Sequence, residues 1–492
     1  MKSYKNYIGG EWVSPRGEKS YDNINPATGE VLGRFPTSSE EDIKEAIGIA
    51  YQAFASWRRT PAPKRAEIAF RLGEIIKGRK EEYAQQMTQE MGKVLTEARG
   101  DVQEAIDMIY YAAGEGRRMD GYVVPSELRN KHAMAMRAPI GVVAAITPWN
   151  FPMAIPTWKI IPAIVAGNTV VFKPATYSPH SAYNLISALE EAGIPPGVVN
   201  LVFAPGSQFG KAVVNDDRVG MVSFTGSTAV GNRLLEKIAP QNKRIHTEMG
   251  GKNAIIVLPD ANIELTVDGI LWSAFGTTGQ RCTACSRVIV HKDVKAKLLP
   301  LLVERTKSLR LGNGLSPKTD VGPVVSEAQL RVIDKYVRIG IKEGGKLLCG
   351  GEPAREGELE KGSFYKPTIF DEVTPDMTIA QEEIFGPVIA IIEAENFDHA
   401  IEINNNTKYG LSTSVFTQDV NKAYYAMQEI DTGLVYINAG TIGAEVHLPF
   451  GGMRSTGNGH REAGKTCFDT FTEWKTVFVD YSGTLQKAQG ID

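Results

Sequence analysis

Cys282 is the residue whose setting most favours nucleophilic chemistry. It follows Gly279-Gln280-Arg281, and the neighbouring guanidinium would favour the reactive thiolate. A cysteine of this kind is more often a small buried residue, which is the alternative interpretation. Cys285 completes a C-x-x-C spacing that is also compatible with a redox dithiol or half of a zinc site. No second C-x-x-C or close histidine pair accompanies it, so no metal site is predicted.

Two more polar residues could act on the same substrate. Glu248 stands just before a Gly-Gly pair that leads into an apolar segment. Partial burial there would raise its pKa and suit it to general-base work, whereas a surface carboxylate is the alternative. Asn150 follows a Pro-Trp dipeptide. Its amide could donate to a developing oxyanion, or it could simply cap a turn.

The composition is that of an ordinary globular protein. The 492 residues are 42% hydrophobic and 23% charged, and 54 Lys+Arg nearly balance 57 Asp+Glu. This balance gives no electrostatic support to a nucleic-acid or membrane-surface role. Four cysteines cannot form a disulfide framework, and no apolar run approaches the ~20 residues of a membrane span. We expect a cytoplasmic protein of more than one domain.

Short apolar runs alternate with helix-length segments from residue 140 onward, after a helical first part in which Ser38 and Glu41 have capping-box spacing. The runs cover 141–146, 169–172, 199–203, 221–224 and 254–258, and then 287–291, 388–392, 413–416 and 434–438. Strands that alternate with helices predict an α/β fold with doubly wound parallel sheets in two domains.

Polar residues, glycines and prolines follow the strands of the first series. These segments are Thr147-Pro148-Trp149-Asn150, Lys173-Pro174-Ala175, Ala204-Pro205-Gly206-Ser207 and Thr225-Gly226-Ser227. Ligands of open α/β sheets bind outside the carboxyl ends of the strands, so a nucleotide site is predicted there. Gly226 and Ser227, before a helix, could present N–H groups to a pyrophosphate. No G-x-G-x-x-G fingerprint is present, so an orthodox Rossmann site is not indicated.

Seven motifs, in order, resemble those of the NAD(P)-dependent aldehyde dehydrogenase superfamily. They are Pro148-Trp-Asn-Phe-Pro152, Lys173-Pro-Ala175, Phe224-Thr-Gly-Ser227, Glu248-Met-Gly-Gly-Lys252, Gly279-Gln-Arg-Cys282, Glu382-Glu-Ile-Phe-Gly-Pro387 and Pro449-Phe-Gly-Gly452. The resemblance covers essentially the whole chain. It implies a dinucleotide-binding domain (1–119 and 140–250), a catalytic domain (251–452), and a small β element (120–139 and 470–492) for homo-oligomerisation as a dimer or tetramer.

The resemblance also implies a mechanism for oxidising an aldehyde to an acid. Cys282 would attack the carbonyl, Asn150 and the Cys282 backbone N–H would hold the oxyanion, and Glu248 would activate the hydrolytic water. Lys159 and Glu473 match family positions that could relay the proton away. Cofactor-contacting positions are matched by Ile146, Trp149, Lys173, Thr176, Gly206, Gly226, Ser227, Glu383 and Phe385.

Thr176 bears on the choice between NAD and NADP. Many NAD-preferring relatives carry Glu at this position, three residues after Lys173. That carboxylate bonds the adenosine ribose 2′-hydroxyl and repels a 2′-phosphate. Thr176 removes the repulsion, which predicts that NADP is accepted as well as NAD and could be the preferred cofactor.

Arg281 suggests a substrate that carries a carboxylate. With Arg117 it resembles the arginine pair of α-aminoadipic semialdehyde dehydrogenase. The segment from Pro148 to Lys159 is closer to bacterial α-ketoglutarate semialdehyde (2,5-dioxopentanoate) dehydrogenases. Trp158, also assigned to the substrate site, stands where succinate semialdehyde dehydrogenases often carry Arg. The best interpretation is therefore a short acid with a terminal aldehyde.

Other functions stay open at this point. Arg281 could be ion-paired to a neighbouring carboxylate in a broad-specificity enzyme for simple aliphatic or aromatic aldehydes. A CoA-acylating dehydrogenase commonly lacks a water-activating glutamate, so Glu248 argues against it. A protein that kept the scaffold without activity is disfavoured by the intact set of Cys282, Glu248 and Asn150.

Overall fold

The computed structural model describes residues 2–489. The elements of the first half are β1 (Asn6–Ile8), β2 (Glu11–Val13), β3 (Ser20–Ile24), β4 (Val31–Pro36), α1 (Glu40–Trp57), α2 (Ala62–Gly78), α3 (Lys80–Met91), α4 (Leu95–Glu115), β5 (Tyr122–Pro125), β6 (Lys131–Pro139), β7 (Val142–Ile146), α5 (Ala154–Ala166), β8 (Thr169–Lys173), α6 (Pro179–Glu191), β9 (Val199–Leu201), α7 (Gly206–Asn215), β10 (Val219–Thr225), α8 (Thr228–Ile238) and β11 (Arg244–Glu248). Those of the second half are β12 (Asn253–Val257), α9 (Ile263–Phe275), β13 (Cys285–His291), α10 (Lys292–Lys307), α11 (Glu327–Lys342), β14 (Lys346–Cys349), β15 (Thr368–Asp371), α12 (Thr378–Gln381), β16 (Val388–Ala394), α13 (Phe397–Asn405), β17 (Tyr409–Gly410), β18 (Ser412–Phe416), α14 (Val420–Glu429), β19 (Leu434–Ile437), β20 (Met453–Arg454), α15 (Cys467–Phe471) and β21 (Thr472–Asp480).

The first sheet contains seven strands in the order β11-β10-β7-β8-β9-β1-β2. Strands β7 to β11 are parallel, whereas β1 is antiparallel to β9. Successive side chains enter different apolar cores, with Val143 and Val170 on one face and Ala144 and Val171 on the other. The sheet is therefore buried on both faces, as the continuous apolar runs predict.

The second sheet repeats this arrangement in the order β14-β15-β16-β13-β12-β18-β19. Only β14 is antiparallel to its neighbour. Ile256 and Ile289 pack into one core while Ile255 and Val288 pack into the other. The predicted α/β class with two doubly wound sheets is confirmed.

A third, three-stranded antiparallel sheet has the order β21-β6-β5. It contains the predicted oligomerisation segments, and its large apolar side chains Tyr122, Val123 and Phe478 are exposed. The domain boundaries at 1–119 with 140–250, 251–452, and 120–139 with 470–492 stay a prediction. Residues 1 and 490–492 of these ranges lie outside the described part of the chain.

Helix α1 is capped one residue later than its sequence predicts. The box of Ser38 and Glu41 is wrong, because the Ser39 hydroxyl accepts from the Asp42 N–H at 3.1 Å and the Asp42 carboxylate accepts from the Ser39 N–H at 2.7 Å. Ser38 instead accepts a hydrogen bond from the amide of Asn6. Within residues 2–489, none of the helices has the length and apolar character needed to cross a membrane.

Candidate active site

The carboxyl ends of the parallel strands in the first sheet meet along one edge. Ile146 lies beside Lys173 where β7 and β8 end, and Thr225 lies beside Glu248 where β10 and β11 end. The turns that follow these strands therefore share one cleft, in agreement with the general rule for open α/β sheets.

A cavity of about 490 Å³ opens at this edge. Cys282 and Asn150 line it, together with eight of the nine residues predicted to contact the cofactor. These eight are Ile146, Trp149, Lys173, Gly206, Gly226, Ser227, Glu383 and Phe385. Glu383 and Phe385 come from the segment before β16, so the cleft lies between the two large sheets.

The polar groups of this cavity fit a dinucleotide. Lys173 is buried, and burial lowers its pKa to about 8. Glu383 accepts from the Gly251 N–H at 3.1 Å, and burial raises the pKa of its carboxyl to about 7. A buried cation and a half-buried acceptor that line one cavity can bind hydroxyl and phosphate groups. Thr176 is exposed on the turn after β8, outside the residues that line the cavity.

The loop before Cys282 is conformationally strained. Thr277 and Thr278 have φ values of 50° and 58°, which are unusual for β-branched residues. Gly279 has φ 68°, and a Cβ there would lie 2.3 Å from the Gly386 carbonyl oxygen. Hydrogen bonds hold the loop, including one from the Thr278 hydroxyl to the Gly322 carbonyl at 3.0 Å. Such strain persists where the surroundings fix a side chain for function.

The Cys282 thiol is not activated by its sequence neighbour. Its pKa is raised to about 12, first by burial and then by the carboxylates of Glu383 and Glu248, while the Thr283 backbone N–H opposes the shift. The expectation that Arg281 favours the thiolate is therefore wrong for this structure, because its guanidinium points to Glu97. Cys285 is buried on β13, and its thiol donates to the Arg287 carbonyl at 3.3 Å.

Asn150 is a buried residue on the wall of the same cavity. Its side-chain carbonyl oxygen has no hydrogen-bond partner among the described residues, and the residue lines the cavity with Cys282. A side-chain amide at this place can donate to a charge that develops next to the sulfur.

Glu248 ends β11 with its carboxyl group enclosed. The residue is 3% exposed, and neither of its oxygens has a side-chain hydrogen-bond partner in the described part of the chain. Burial first, and the nearby Glu462 second, raise its pKa well above the usual range, while Lys159 and Arg461 oppose the shift. The direction agrees with the expectation for a general base.

Lys159 has a different partner from the one predicted. Its ammonium forms a fully buried ion pair with Glu462 and donates to the Ser223 hydroxyl at 3.0 Å. Glu473 lies elsewhere, with its side chain 61% exposed and bonded to Arg244 at 3.1 Å. The assignment of Glu473 to the relay is wrong, because Glu473 faces outward on β21 whereas Glu462 reaches the interior.

The predicted substrate arginines are not brought together. The Arg281 guanidinium bonds Glu97 at 3.0 Å and packs over the Phe151 ring at 5.2 Å. Arg117 is exposed after the end of α4. Trp158 is buried edge-on against Phe450, with ring centroids 5.1 Å apart. The alternative of an ion-paired Arg281 is what the geometry shows.

Four residues near the site were missed by sequence reasoning. They are Glu462, His246, Tyr436 and Glu104. Burial first, with contributions from Cys282 and Glu104, raises the pKa of Tyr436 to about 12. The glycine-rich flank of Glu462 was a usable signal. The other three carry no local signal in a single sequence.

Comparison with known proteins agrees with this geometry. The family model "Aldehyde dehydrogenase family" matches residues 12–477. The alpha-ketoglutaric semialdehyde dehydrogenase of Bacillus subtilis is 42% identical over 97% of this chain and 98% of its own. Betaine aldehyde dehydrogenase of Staphylococcus aureus in complex with NAD+ has a TM-score of 0.96 at 32% identity, covering 98% of this chain and 97% of that one.

A third similar protein, 3,6-anhydro-L-galactose dehydrogenase in complex with NADP, has a TM-score of 0.94 at 34% identity, covering 97% of this chain and 100% of that one. Sequence and structure thus match the same group of enzymes over nearly the full length. The chain belongs to the aldehyde dehydrogenase family and is an oxidoreductase that acts on aldehydes.

Proposed function

We propose that this enzyme uses NAD or NADP to oxidise an aldehyde to a carboxylic acid through a thioester on Cys282. The observation that carries the proposal is the shared cavity: Cys282 and Asn150 line the same space as Lys173 and Glu383. Glu248 is the last residue of β11, at the same edge of the sheet, and its carboxylate raises the pKa of the Cys282 thiol.

Cys282, Asn150 and Glu248 have separate roles in the proposed reaction. The Cys282 sulfur attacks the carbonyl carbon, and the Asn150 amide with the Cys282 backbone N–H donates to the oxygen that becomes negative. Lys173 and Glu383 would hold a nicotinamide cofactor in this cavity, which would supply the acceptor for the hydride of the carbon bound to sulfur. Glu248 then takes a proton from a water molecule that attacks the thioester carbon, which releases the acid and returns the thiol.

Lys173 and Glu383 would hold the cofactor at opposite places in the cavity. The buried ammonium of Lys173 suits ribose or phosphate oxygens, and the Glu383 carboxylate suits the nicotinamide-side ribose. Support for both cofactor types comes from the two similar structures, which bind NAD+ and NADP.

Thr176→Glu is expected to make the enzyme discriminate against NADP. A carboxylate beside the adenosine ribose repels a 2′-phosphate, so kcat/KM with NADP should fall about tenfold or more while that with NAD changes little. Thr176→Gln is the matched control, with similar size and no charge. An unchanged ratio of the two kcat/KM values in Thr176→Glu would show that Thr176 does not lie beside the 2′ position.

The proposed substrate is a short aldehyde with a distal carboxylate, of the 2,5-dioxopentanoate class. The name of the Bacillus subtilis relative supports this choice, and Arg281 supplies a cation one residue from the nucleophile. Its ion pair with Glu97 offsets that charge. The pairing favours a second candidate, oxidation of uncharged aldehydes, and a panel of acidic and neutral aldehydes assayed with both cofactors separates the two.

Arg281→Gln and Glu97→Gln are expected to change acid recognition in opposite directions. Loss of the guanidinium should raise KM for 2,5-dioxopentanoate by about tenfold, the effect of one charged hydrogen bond. Glu97→Gln frees the guanidinium and should lower that KM. Butanal is the control substrate, with little change in either variant. Equal changes for the acid and for butanal would remove the acidic-substrate proposal and leave the mechanism intact.

The proposal includes a homo-oligomer in a reducing compartment such as the cytoplasm. Exposed apolar side chains on β5 and β21, including Tyr122, Val123 and Phe478, would be covered by a second copy. All four cysteines are free, which suits a reducing environment. Light scattering tests the assembly, since a monomeric mass would contradict it.

A further inference from the structure

His246 lies between the candidate base and the buried ion pair. It stands two residues before Glu248 on β11, so both side chains leave the same face of the strand. The His246 Nε2 atom is 3.6 Å from Glu248 Oε1, and its Nδ1 atom is 3.7 Å from Glu462 Oε1. One fully buried imidazole thus bridges two carboxyl groups.

The surroundings keep this imidazole neutral. Burial lowers its pKa well below the usual range, and the positive charge of Lys159, with His460 and Arg461, lowers it further. A neutral imidazole has one donor nitrogen and one acceptor nitrogen, so it can take a proton on one side and release one on the other.

The orientation of the ring follows from its neighbours. Glu462 is held by the Lys159 ammonium, so as a carboxylate it only accepts hydrogen bonds. The Ser223 hydroxyl lies 3.3 Å from Nδ1 and already accepts from Lys159. The Glu462 carboxylate therefore favours a proton on Nδ1, and the Ser223 hydroxyl, which can donate or accept, is compatible with either state of this nitrogen. The Nε2 atom has no hydrogen-bond partner among residues 2–489, which leaves its lone pair facing Glu248.

We propose that His246 carries the proton that Glu248 takes from the hydrolytic water to the Glu462–Lys159 pair. This role rests on the proposed function of Glu248, and it makes His246 a positioning residue that acts through Glu248. It also connects the buried carboxyl group of Glu248 to the ion pair of Lys159 and Glu462 on the same face of β11.

The transfers balance without any oxidant or reductant. An O–H bond of water breaks as the oxygen bonds the thioester carbon, the proton passes to Glu248, and the C–S bond then breaks. The departing sulfur takes the remaining proton of the acid product, which leaves as a carboxylate. Glu248 gives a proton to Nε2 while the Nδ1 proton moves to the Glu462 carboxylate, so the imidazole stays neutral. Loss of the proton from Glu462 to water and return of the imidazole proton to Nδ1 complete the cycle. Separations of 3.6 and 3.7 Å shorten to hydrogen bonds in the loaded site.

The test uses the complete enzyme and p-nitrophenyl acetate, an activated ester that acylates a thiol without cofactor. The burst of nitrophenolate reports acylation of Cys282, and the later steady rate reports hydrolysis of the acyl-enzyme. In His246→Gln the rate constant of the burst should stay within about twofold of the wild-type value. The steady rate of hydrolysis should fall about tenfold or more.

His460→Gln is the matched control, because the His460 ring packs edge-on against His246 at 6.2 Å. Both of its rates should stay within about twofold of the wild-type values. Three results would overturn the proposal: an unchanged steady rate in His246→Gln, an equal loss of burst and steady rate in that variant, or the same slow hydrolysis in His460→Gln. His246→Asn, which also lacks an ionisable ring, replaces His246→Gln if that variant does not fold.

Glu462→Gln provides a second line of evidence. His246 and Glu462 would act in one proton path. The hydrolysis rate of the double variant His246→Gln/Glu462→Gln should therefore equal that of the more impaired single variant. If the fold-decreases in hydrolysis rate of the two single variants multiplied in the double variant, a shared path would be contradicted. Glu248→Gln separates this proposal from the proposed function. Normal hydrolysis of the acyl-enzyme in Glu248→Gln would contradict the general-base role of Glu248, independently of any result for His246.

Discussion

Cys282→Ala is expected to lower kcat/KM for aldehyde oxidation by about 10⁵-fold or more, as for the loss of other enzymic nucleophiles. The chain would lose the only cysteine among the described residues that line the shared cavity, and no thioester could form. Cofactor binding should persist, because Lys173 and Glu383 are untouched. The measurements are NAD(P)H formation and cofactor binding by fluorescence.

Cys285→Ser is the matched control for this variant. Cys285 is three residues away, buried on β13 and bonded to the Arg287 carbonyl, and serine keeps that donor. Activity should stay within about threefold of wild type. Comparable losses in both variants would favour thiol–disulfide exchange through the C-x-x-C pair.

Glu248→Gln is expected to stop the reaction after the first half. Glutamine fits the enclosed site but cannot take a proton, so steady-state turnover should fall by about 10²–10⁴-fold while the first equivalent of NAD(P)H still forms. In the wild-type enzyme the raised pKa of Glu248 sets the pH dependence. Hydrolysis requires the carboxylate, so its rate should fall as pH falls through that raised pKa. Stopped-flow absorbance and pH–rate profiles measure both effects.

Glu473→Gln serves as the control, because Glu473 is exposed and bonded to Arg244. It should behave as wild type. If Glu248→Gln hydrolysed its acyl-enzyme at the normal rate, the general-base role would be lost. If added CoA released an acyl-CoA from either protein, the CoA-acylating alternative would replace hydrolysis.

Local patterns predicted the parts of the site that strands and turns determine. The apolar runs before Thr147, Lys173 and Thr225 became neighbouring parallel strands, so the segments after them meet at one edge. Any parallel sheet places strand ends in this way, and the prediction needed only the order of short runs and turns. The glycine before Cys282 likewise signalled a loop that only glycine fits.

Pairings between distant residues were not predictable in this way. Lys159 and Glu462 are 303 residues apart, and Arg281 and Glu97 are 184 apart. Which carboxylate pairs with a buried cation depends on how complete sheets and loops pack against each other. Local patterns in a single sequence do not indicate this packing. The sequence assigned Glu473 to the relay for this reason and did not consider Glu462. In the structure Glu473 lies in a run of exposed residues on β21.

The most direct test of the account is the mass of the acyl-enzyme. Glu248→Gln is mixed with NAD(P) and 2,5-dioxopentanoate or butanal, quenched in acid, and examined by intact and peptide mass spectrometry. The account predicts one acyl group per chain, on the peptide that contains Cys282, and its release by hydroxylamine. NAD(P)H formation without any adduct, or with the acyl group on another residue, would contradict covalent catalysis by Cys282.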